Sequence, residues 1–332
     1  MTDYRGVLIC GEIIQQDLAS MTLELLGCGR MLADKIGERL SGLLMGSEVR
    51  PLAGEVIAHG ADDVYVLEDP LLKEYQSELY VAMAEKVIMQ ARPKIVLMGQ
   101  TSMGRDLAPR LGFKLHAGVS MDCVELDIDD ESGLLLQVRP VYGGNARAVF
   151  TTETLPQMAT VRSKAISPRE RDSSRKGEII EVQPEIDPSI MSTRIVQRLK
   201  EEVTGIRVED APTIVTGGRG IGGPEGFDQL EELAKLLKGA VGATRPVVDS
   251  GWYPSTRQIG LTGKVVAPDL YIAVALSGSS QHMAGCSGAK HIVAINRDPK
   301  ANIFNEASFG IVGDWKQAVP AFMEKVRELL ED

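Results

Sequence analysis

Apolar runs alternate with stretches of helical periodicity over the first 115 residues. Residues 7–9, 64–67 and 95–98 are short, continuous apolar runs of the kind found in buried strands. Apolar residues at helical spacing predict helices in the segments between and after these runs, over residues 23–40, about 73–90, and 104–115. Strands that alternate with helices indicate a parallel α/β sheet.

The first of these helices is predicted from the apolar residues Leu23, Leu26, Leu32, Ile36 and Leu40. Gly42 and Gly46 follow them directly and are expected to stop the helix, because glycine disfavours a helix interior.

The periodicity changes to two after Gly118. Polar and apolar positions alternate in four short runs that are separated by turn residues: 121–128, 134–141, 146–152 and 157–161. These runs predict antiparallel strands that extend the N-terminal sheet.

A boundary between two domains is predicted near residue 205. Residues 163–176 are charged and poor in large apolar groups, as in an exposed connection, and residues 178–182 resemble a short strand. A polar stretch then runs to about residue 204. We therefore expect an N-terminal α/β domain over 1–204 and a C-terminal, doubly wound α/β domain over 205–332.

Four apolar runs of the C-terminal domain each end in small or polar residues. The runs cover 212–216, 270–276, 291–295 and 309–312, and a Gly-rich turn, Ser277, Asn296 and Gly313-Asp314 follow them in that order. Ligands of open α/β sheets bind outside the carboxyl ends of the strands. The pattern therefore predicts a cofactor crevice at these ends.

Composition narrows the possible partners. A formal charge of −10 and a pI near 5.1 argue against a nucleic-acid-binding face, which needs clustered cations. No apolar run approaches the roughly 18 residues of a membrane span. The N-terminus carries no signal or transit pattern, so we expect a cytoplasmic protein, or an organellar one whose presequence has been removed.

The four cysteines do not indicate a metal site. They are far apart in the sequence, without the close spacings of zinc or iron–sulfur ligands: Cys10, Cys28, Cys123 and Cys286. We expect buried thiols in a reducing compartment.

A Gly-rich turn over residues 218–223 matches the G-x-G-x-x-G pattern after a predicted strand. Pro224 follows at an expected first helical position. Glycines permit close approach of backbone N–H groups, and Arg219 favours phosphate oxygens. The acidic residue of an NAD fingerprint is missing about 20 residues on, where Thr244-Arg245-Pro246 stands instead. The alternative is a glycine turn without a ligand.

Arg245 has two possible roles. It can pair with Asp249 at the surface, which is the usual fate of a lone arginine, or it can stabilise negative charge on a redox ring.

Two further segments carry groups able to contact a flat ligand. Residues 258–264 place glycines around the hydroxyl of Thr262, in what is otherwise a hairpin-like turn. Residues 277–282 begin a helix and offer hydroxyls, an amide and the imidazole of His282. His282 is either a core or capping histidine or a hydrogen-bond donor to a cofactor carbonyl.

Together these motifs resemble the FAD domain of the electron-transfer flavoprotein alpha subunit. The resemblance rests on the order and spacing of seven motifs: residues 218–220, 244–249, 258–264, 267–271, 277–282, 294–298 and 313–314. The family commonly has Ser where this chain has Thr244, and Gln where it has Leu261.

The resemblance implies a set of FAD contacts and a heterodimer with a beta subunit. The implied contacts are Arg219, Thr244, Arg245, Gln258, Ile259, Gly260, Leu261, Thr262, Ser277, Gly278, Ser279, Ser280, Gln281, His282, Asn296, Asp314 and Trp315. By the same resemblance, Arg245, Thr262 and His282 would tune the flavin. Arg245 would lie over the ring and favour its anionic forms, Thr262 would approach N5, and His282 would approach the O2 side. Asn296 and Asp314 would hold the adenosine part.

The implied function is electron carriage between flavin dehydrogenases, such as an acyl-CoA dehydrogenase, and a further acceptor. An alternative within the family is the alpha subunit of an NADH-oxidising, electron-bifurcating flavoprotein, which would be an oxidoreductase. Outside the family, a nicotinamide-dependent enzyme lacks the acidic ribose partner and an acid to orient His282. A nucleotide-binding sensor would leave Arg245 and His282 without a role.

Overall fold

The computed structural model describes residues 4–144, 146–193, 195–197 and 206–331. The chain divides into two compact units, residues 1–198 and 199–332, and each has hydrophobic cores of its own. The predicted boundary between residues 204 and 205 lies outside the described residues.

The N-terminal unit is an α/β unit. Its described strands and helices are, in chain order, β1 (Val7–Cys10), β2 (Ile13–Ile14), β3 (Asp17–Leu18), α1 (Ser20–Ile36), β4 (Leu40–Gly46), α2 (Ala53–Ala58), β5 (Asp63–Glu68), α3 (Ser77–Ala91), β6 (Ile95–Gly99), α4 (Ser102–Leu115), β7 (Val119–Cys123), β8 (Glu125–Ile128), β9 (Leu135–Val141), β10 (Ala146–Phe150), β11 (Gln157–Val161) and β12 (Glu178–Glu181).

Seven of these strands form one parallel sheet in the order β12-β5-β4-β1-β6-β11-β7. Helices cover both faces of this sheet. Alternate residues of a strand point to opposite sides, so one strand contributes to the core on each face. Val7 and Ile9 share one core with α1 and α2, and Leu8 and Cys10 share the other with α3 and α4. This two-sided burial explains why the strands are continuous apolar runs.

The helix predicted to continue to Leu40 ends at Ile36. Gly37 caps it in the left-handed conformation, with φ of 67°, and Leu40 is the first residue of β4. Gly42 lies inside that strand, where an added Cβ would stand 2.6 Å from Cγ1 of Val56 in α2. Its role is to let the helix approach the sheet, so the interpretation of Gly42 as a helix stop was wrong.

The strands after Gly118 divide between two sheets, which corrects the predicted antiparallel extension. β7 and β11 join the main sheet in parallel, whereas β8, β9 and β10 form a separate antiparallel sheet. The predicted run 121–128 is broken at Val124, between β7 and β8, two residues after Asp122, which has a φ of 65°. Arg162 holds the Asp122 carboxylate through two hydrogen bonds of 2.9 and 2.6 Å, and the chain changes sheet just after Cys123.

The C-terminal unit has one parallel sheet of five strands in the order β14-β13-β15-β16-β17. Its described strands and helices are β13 (Thr213–Gly217), α5 (Gly226–Leu236), β14 (Ala240–Ala243), α6 (Arg245–Asp249), β15 (Leu270–Val274), α7 (Ser280–Met283), β16 (His291–Asn296), α8 (Ile303–Glu306), β17 (Phe309–Val312) and α9 (Trp315–Glu331). The predicted fold class, α/β with a doubly wound C-terminal domain, is confirmed.

Strand order reverses next to β13, whose chain neighbours β14 and β15 lie on its two sides. Such a reversal leaves a crevice at the carboxyl ends of the strands. Pro224 precedes the helix that follows β13, because α5 begins at Gly226 with Glu225 as its cap, so the helix start predicted at Pro224 was two residues early.

The N-terminal sheet has the same reversal between β1 and β6. There Glu12 follows β1 and is buried, with 8% of its surface exposed. The hydroxyl of Thr101, beyond the end of β6, donates a hydrogen bond of 2.7 Å to Oε1 of Glu12. Burial raises the pKa of this carboxyl, and the bond from Thr101 opposes that rise. The carboxylate therefore lies against the carboxyl ends of both strands.

Within the described ranges, no helix is long and apolar enough to cross a membrane.

Candidate cofactor site

A cavity of about 760 Å³ opens at the carboxyl ends of β13 to β16. Each of these strands is followed by a segment that contributes to the wall, and residues after α6 contribute a loop. Of the residues implied by the resemblance, the cavity brings together Arg219, Thr244, Arg245, Gln258, Ile259, Gly260, Leu261, Thr262, Ser277, Gly278, Ser279, Gln281, His282 and Asn296.

Three implied residues do not line this cavity. Asp314 and Trp315 line an adjoining cavity of about 220 Å³, which shares Asn296 with the larger one. Oδ1 of Asp314 accepts a 2.9 Å hydrogen bond from the backbone of Lys316 at the start of α9, and the side chain of Trp315 is 7% exposed. Ser280 is exposed at the first position of α7 and lines neither cavity.

The Gly-rich turn packs closely against the end of β15. The N–H groups of Gly218 and Gly220 donate to the carbonyls of Val274 and Ala275, at 2.9 and 3.1 Å. An added Cβ on Gly218 would stand 2.5 Å from the carbonyl oxygen of Ala275. These two amides are therefore used inside the protein, and glycine is needed because the neighbouring backbone is close.

Cations dominate the charge of the cavity lining. The lining contains one carboxylate, that of Asp298, and four cationic side chains: Arg219, Arg245, Arg297 and Lys300. Arg297 and Lys300 were missed by the sequence reasoning, although the run Asn296-Arg297-Asp298-Pro299-Lys300 directly follows a strand of the crevice. A lining of this charge suits an anionic ligand such as a diphosphate.

Arg245 is the first residue of α6 and is 65% exposed. Its Nε lies 3.4 Å from Oδ2 of Asp249, so the surface pair considered from the sequence is present. Because exposed pairs of this kind are worth little, the pair leaves the guanidinium available to a ligand in the cavity that it lines.

The loop that begins at Gln258 is closed on itself. The Lys264 amide donates to the carbonyl of Gln258 at 2.7 Å, and Nε2 of Gln258 donates to the hydroxyl of Thr262 at 3.1 Å. Gly260 has a φ of 143°, which disfavours any residue with a side chain. The side chain of Leu261 is exposed at the cavity.

His282 is buried on α7, with 6% of its surface exposed, and both ring nitrogens have protein partners. Nδ1 lies 3.1 Å from the carbonyl oxygen of Ile259, and Nε2 lies 2.9 Å from the hydroxyl of Tyr271. Burial lowers the pKa of His282 to about 4. In this structure the ring lines the cavity, but neither nitrogen is directed to it as an unpaired donor.

Asn296 also uses its side chain within the protein. Its Nδ2 donates to the carbonyl of Leu276 at 2.8 Å, and its Oδ1 accepts from the backbone of Asp298 at 3.0 Å. It thereby joins the segments that follow β15 and β16 at the mouth of the cavity.

Fold and site together define a doubly wound α/β protein that binds an anionic nucleotide cofactor. The position after β14, where an NAD site requires an acid, carries Thr244 and Arg245 instead. The cationic lining and the Gly-rich turn fit the diphosphate of a flavin dinucleotide, and the loop from Gln258 to Lys264 can contact its flat ring.

Comparison with known proteins gives the family. Residues 7–187 match the electron transfer flavoprotein domain, and residues 207–287 match the electron transfer flavoprotein FAD-binding domain. The chain is 44% identical to an electron transfer flavoprotein subunit alpha of Thermoanaerobacterium thermosaccharolyticum, over 99% of this chain and 100% of that one. It is 40% identical to the subunit alpha of Megasphaera elsdenii, over 99% and 98%.

A third relative carries a different name. The chain is 36% identical to the lactate dehydrogenase (NAD(+),ferredoxin) subunit LctC of Acetobacterium woodii, over 97% of this chain and 77% of that protein. The chain belongs to the electron transfer flavoprotein alpha-subunit family, and its C-terminal unit is the family's FAD-binding domain. The family implies a beta subunit as partner.

Proposed function

We propose that this alpha subunit carries electrons on FAD between a flavin dehydrogenase, such as an acyl-CoA dehydrogenase, and a further acceptor. The observation that carries the proposal is the composition of the cavity wall, which is cationic and hydroxyl-rich. Its histidine is neutral near pH 7 and bonded through both nitrogens to the protein. Such a wall is suited to binding a redox cofactor, not to acid–base chemistry on a substrate.

Different residues of the wall would bind different parts of FAD. Arg219, Arg297 and Lys300 would hold the diphosphate, and the loop from Ile259 to Thr262 would lie against the ring. Arg245 would place a positive charge near the ring and favour its reduced, negatively charged forms. FAD supplies the electron acceptance and donation when it is bound, and the chain supplies binding, orientation and charge.

We infer that the beta subunit completes a heterodimer that docks on the dehydrogenase, and that this takes place in the cytoplasm. The described cysteines are buried free thiols, and burial raises the pKa of Cys10, Cys28, Cys123 and Cys286 to about 12. Thiols without disulfides suit a reducing compartment.

A second candidate is the alpha subunit of an NADH-oxidising, bifurcating flavoprotein. The relative from Acetobacterium woodii favours it, because its name joins NAD(+) and ferredoxin and its sequence is 36% identical to this one. The cavity described above is compatible with both versions, since each requires FAD in the alpha subunit.

The two candidates differ in flavin content and in reduction by NADH. The chain is purified with its beta subunit, its absorption spectrum is recorded, and the complex is titrated with dithionite and, separately, with NADH. One FAD for each heterodimer and no reduction by NADH support the simple carrier. Two FADs reduced by NADH support bifurcation, and a colourless complex contradicts both.

A further inference from the structure

The segment that leads the chain into the C-terminal unit lies against the loop at the FAD cavity. We call residues 206–211, which precede β13, the entry segment. The loop of residues 258–264 follows α6, and its residues 258–262 line the cavity. Both stretches belong to the same unit, so their contacts are internal to it.

Two cationic side chains hold the entry segment, one at each end of the loop. Nη1 of Arg257, directly before the loop, donates a hydrogen bond of 2.7 Å to the carbonyl oxygen of Ile206. Nζ of Lys264, at the end of the loop, lies 2.5 Å from Oε1 of Glu209. Both donors carry a positive charge, so these bonds are stronger than bonds between neutral groups. The entry segment is thus joined to both ends of the loop.

Apolar burial fixes the entry segment against the loop. Val208 is 1% exposed and shares a hydrophobic core with Ile259 in the loop and Val266 just after it. The removal of these side chains from water holds the backbone of the segment in place. Glu209 therefore extends from a fixed part of the unit.

Lys264 is the residue that closes the loop. Its amide donates to the carbonyl of Gln258 at 2.7 Å, and its carbonyl accepts from the amide of Gly260 at 3.2 Å. A displacement of Lys264 is therefore passed directly to two residues that line the cavity. The side chain of the same lysine is held by Glu209.

We propose that Glu209 is a positioning residue for FAD: its carboxylate holds Lys264, and thereby keeps the loop of residues 258–264 in the conformation that receives the flavin ring. This rests on the proposed function only in that the cavity holds FAD. Glu209 does not line the cavity, so it acts on the cofactor through Lys264. It also links the cofactor site to the segment through which the polypeptide enters the unit.

The size of the effect follows from the exposure of the pair. The side chains of Lys264 and Glu209 are 44% and 32% exposed, so solvent screens much of their attraction. Glu209→Gln removes the charge and keeps the length of the side chain. We expect FAD to bind about two- to fivefold more weakly to this variant at low salt. The difference from the wild type should become smaller at about 1 M salt, where the Debye length is about 3 Å.

Hydrogen–deuterium exchange measures the loop itself, with or without the cofactor. The full chain, purified with its beta subunit, is compared with Glu209→Gln, and peptides that cover residues 257–266 are followed by mass spectrometry. We expect faster exchange of these amides in the variant before FAD is added, because the closure at Lys264 opens more often. FAD titration of the same samples at low and at high salt gives the affinities.

Asp210→Asn is the matched control. It removes the same charge from the adjacent position, but Asp210 pairs at 2.7 Å with Arg207, so both partners lie in the entry segment. Loop exchange and FAD affinity should be unchanged in this variant. A charge exchange, Glu209→Lys with Lys264→Glu, forms the pair again in reverse and should recover most of the lost affinity. No recovery would contradict a role for the pair.

Unchanged loop exchange and FAD affinity in Glu209→Gln would overturn the positioning role. Equal losses in Asp210→Asn would assign the effect to overall charge, and a loss that is the same at both salt concentrations would exclude the ion pair as its cause. Should Glu209→Gln fail to fold, Lys264→Gln removes the same pair from the loop side and is judged by the same results. A wild-type complex that binds no FAD contradicts the proposed function itself, whereas wild-type affinity in Glu209→Gln contradicts only the positioning role.

Discussion

Arg245 combines a weak surface contact with a place in the wall of the FAD cavity. Its Nε is 3.4 Å from Asp249, and two-thirds of its side chain is exposed. Arg245→Gln removes the charge but keeps a polar side chain of similar length. We expect the reduction potential of the bound FAD to fall by about 60 mV, which is a tenfold change in the equilibrium of a one-electron couple. Spectroelectrochemical titration measures this shift.

Arg207→Gln is the comparison for Arg245→Gln. Arg207 is 64% exposed and pairs with Asp210 at 2.7 Å in the same unit, but it does not line the cavity. Equal potential shifts in the two variants would show that overall charge, and not the position of Arg245, is responsible.

His282 makes the stability of the C-terminal unit sensitive to acid. Burial lowers its pKa to about 4, whereas the unfolded chain takes up the proton near pH 6.5. The stability that depends on a neutral His282 is therefore fully present above pH 6.5 and is lost as the pH falls towards 4. Its neighbours Tyr271 and Cys286 have raised pKa values and stay neutral in this window. We expect a loss approaching 1.4 kcal/mol for each pH unit.

Urea unfolding between pH 7 and 4.5, followed by tryptophan fluorescence, measures this loss. Both tryptophans of the chain, Trp252 and Trp315, lie in the C-terminal unit and report on it alone. His282→Gln should flatten the pH dependence. The same slope in that variant would assign the acid sensitivity to other groups.

At the scale of elements, the contact between the Gly-rich turn and β15 leaves no room for a side chain. In Gly218→Ala the new methyl group would stand 2.5 Å from the Ala275 carbonyl, so the backbone must move. We expect the free energy of unfolding of this unit to fall by about 1–3 kcal/mol, together with weaker FAD binding. Urea unfolding and FAD titration measure the two effects.

Gly222→Ala separates crowding from backbone strain. Gly222 has a φ of 94°, but an added Cβ would meet nothing within 4 Å. A cost of about 1 kcal/mol is expected from the backbone conformation alone. A loss in Gly218→Ala no larger than this would contradict the steric argument.

The cavity lies where the sequence predicted a crevice, because its walls follow directly on the ends of strands. Arg219, Thr244 and Ser277 each follow a strand within a few residues, and parallel strands bring such positions together. The partners of His282 were not predictable in this way. Tyr271 and Ile259 meet the ring only through the packing of β15, α7 and a loop, which no periodicity in the chain records.

The errors in the N-terminal unit come from contacts between residues that are far apart in the sequence. The contact of Gly42 with Val56 joins residues 14 positions apart, so the local pattern did not reveal it. Gly42 was therefore interpreted as a helix stop. Asp122, just before the change of sheet, is likewise held by Arg162, 40 positions away. The periodicity of a sequence indicates contacts between residues that are close in the chain, and neither of these contacts is of that kind.

For the whole molecule, separate cores predict two unfolding events. The two units bury their own apolar residues, and the described residues that line the FAD cavity all fall within 219–302. FAD binds the folded C-terminal unit and should stabilise it by about 2.7 kcal/mol at a hundredfold excess over Kd. Calorimetry should therefore show two transitions, of which FAD raises one. A single transition that FAD raises would indicate that the units unfold as one.

The carboxylate of Glu12 has a consequence for how many cofactors the chain carries. Both units have a sheet with a reversal of strand order, and nucleotides usually bind at such a point. In the N-terminal unit the acidic side chain of Glu12, hydrogen-bonded to Thr101, occupies that position. An acidic side chain offers no positive charge to a phosphate, whereas four cations line the C-terminal crevice. We therefore expect a single flavin for each alpha subunit, bound at the C-terminal sheet, although the chain contains two related sheets.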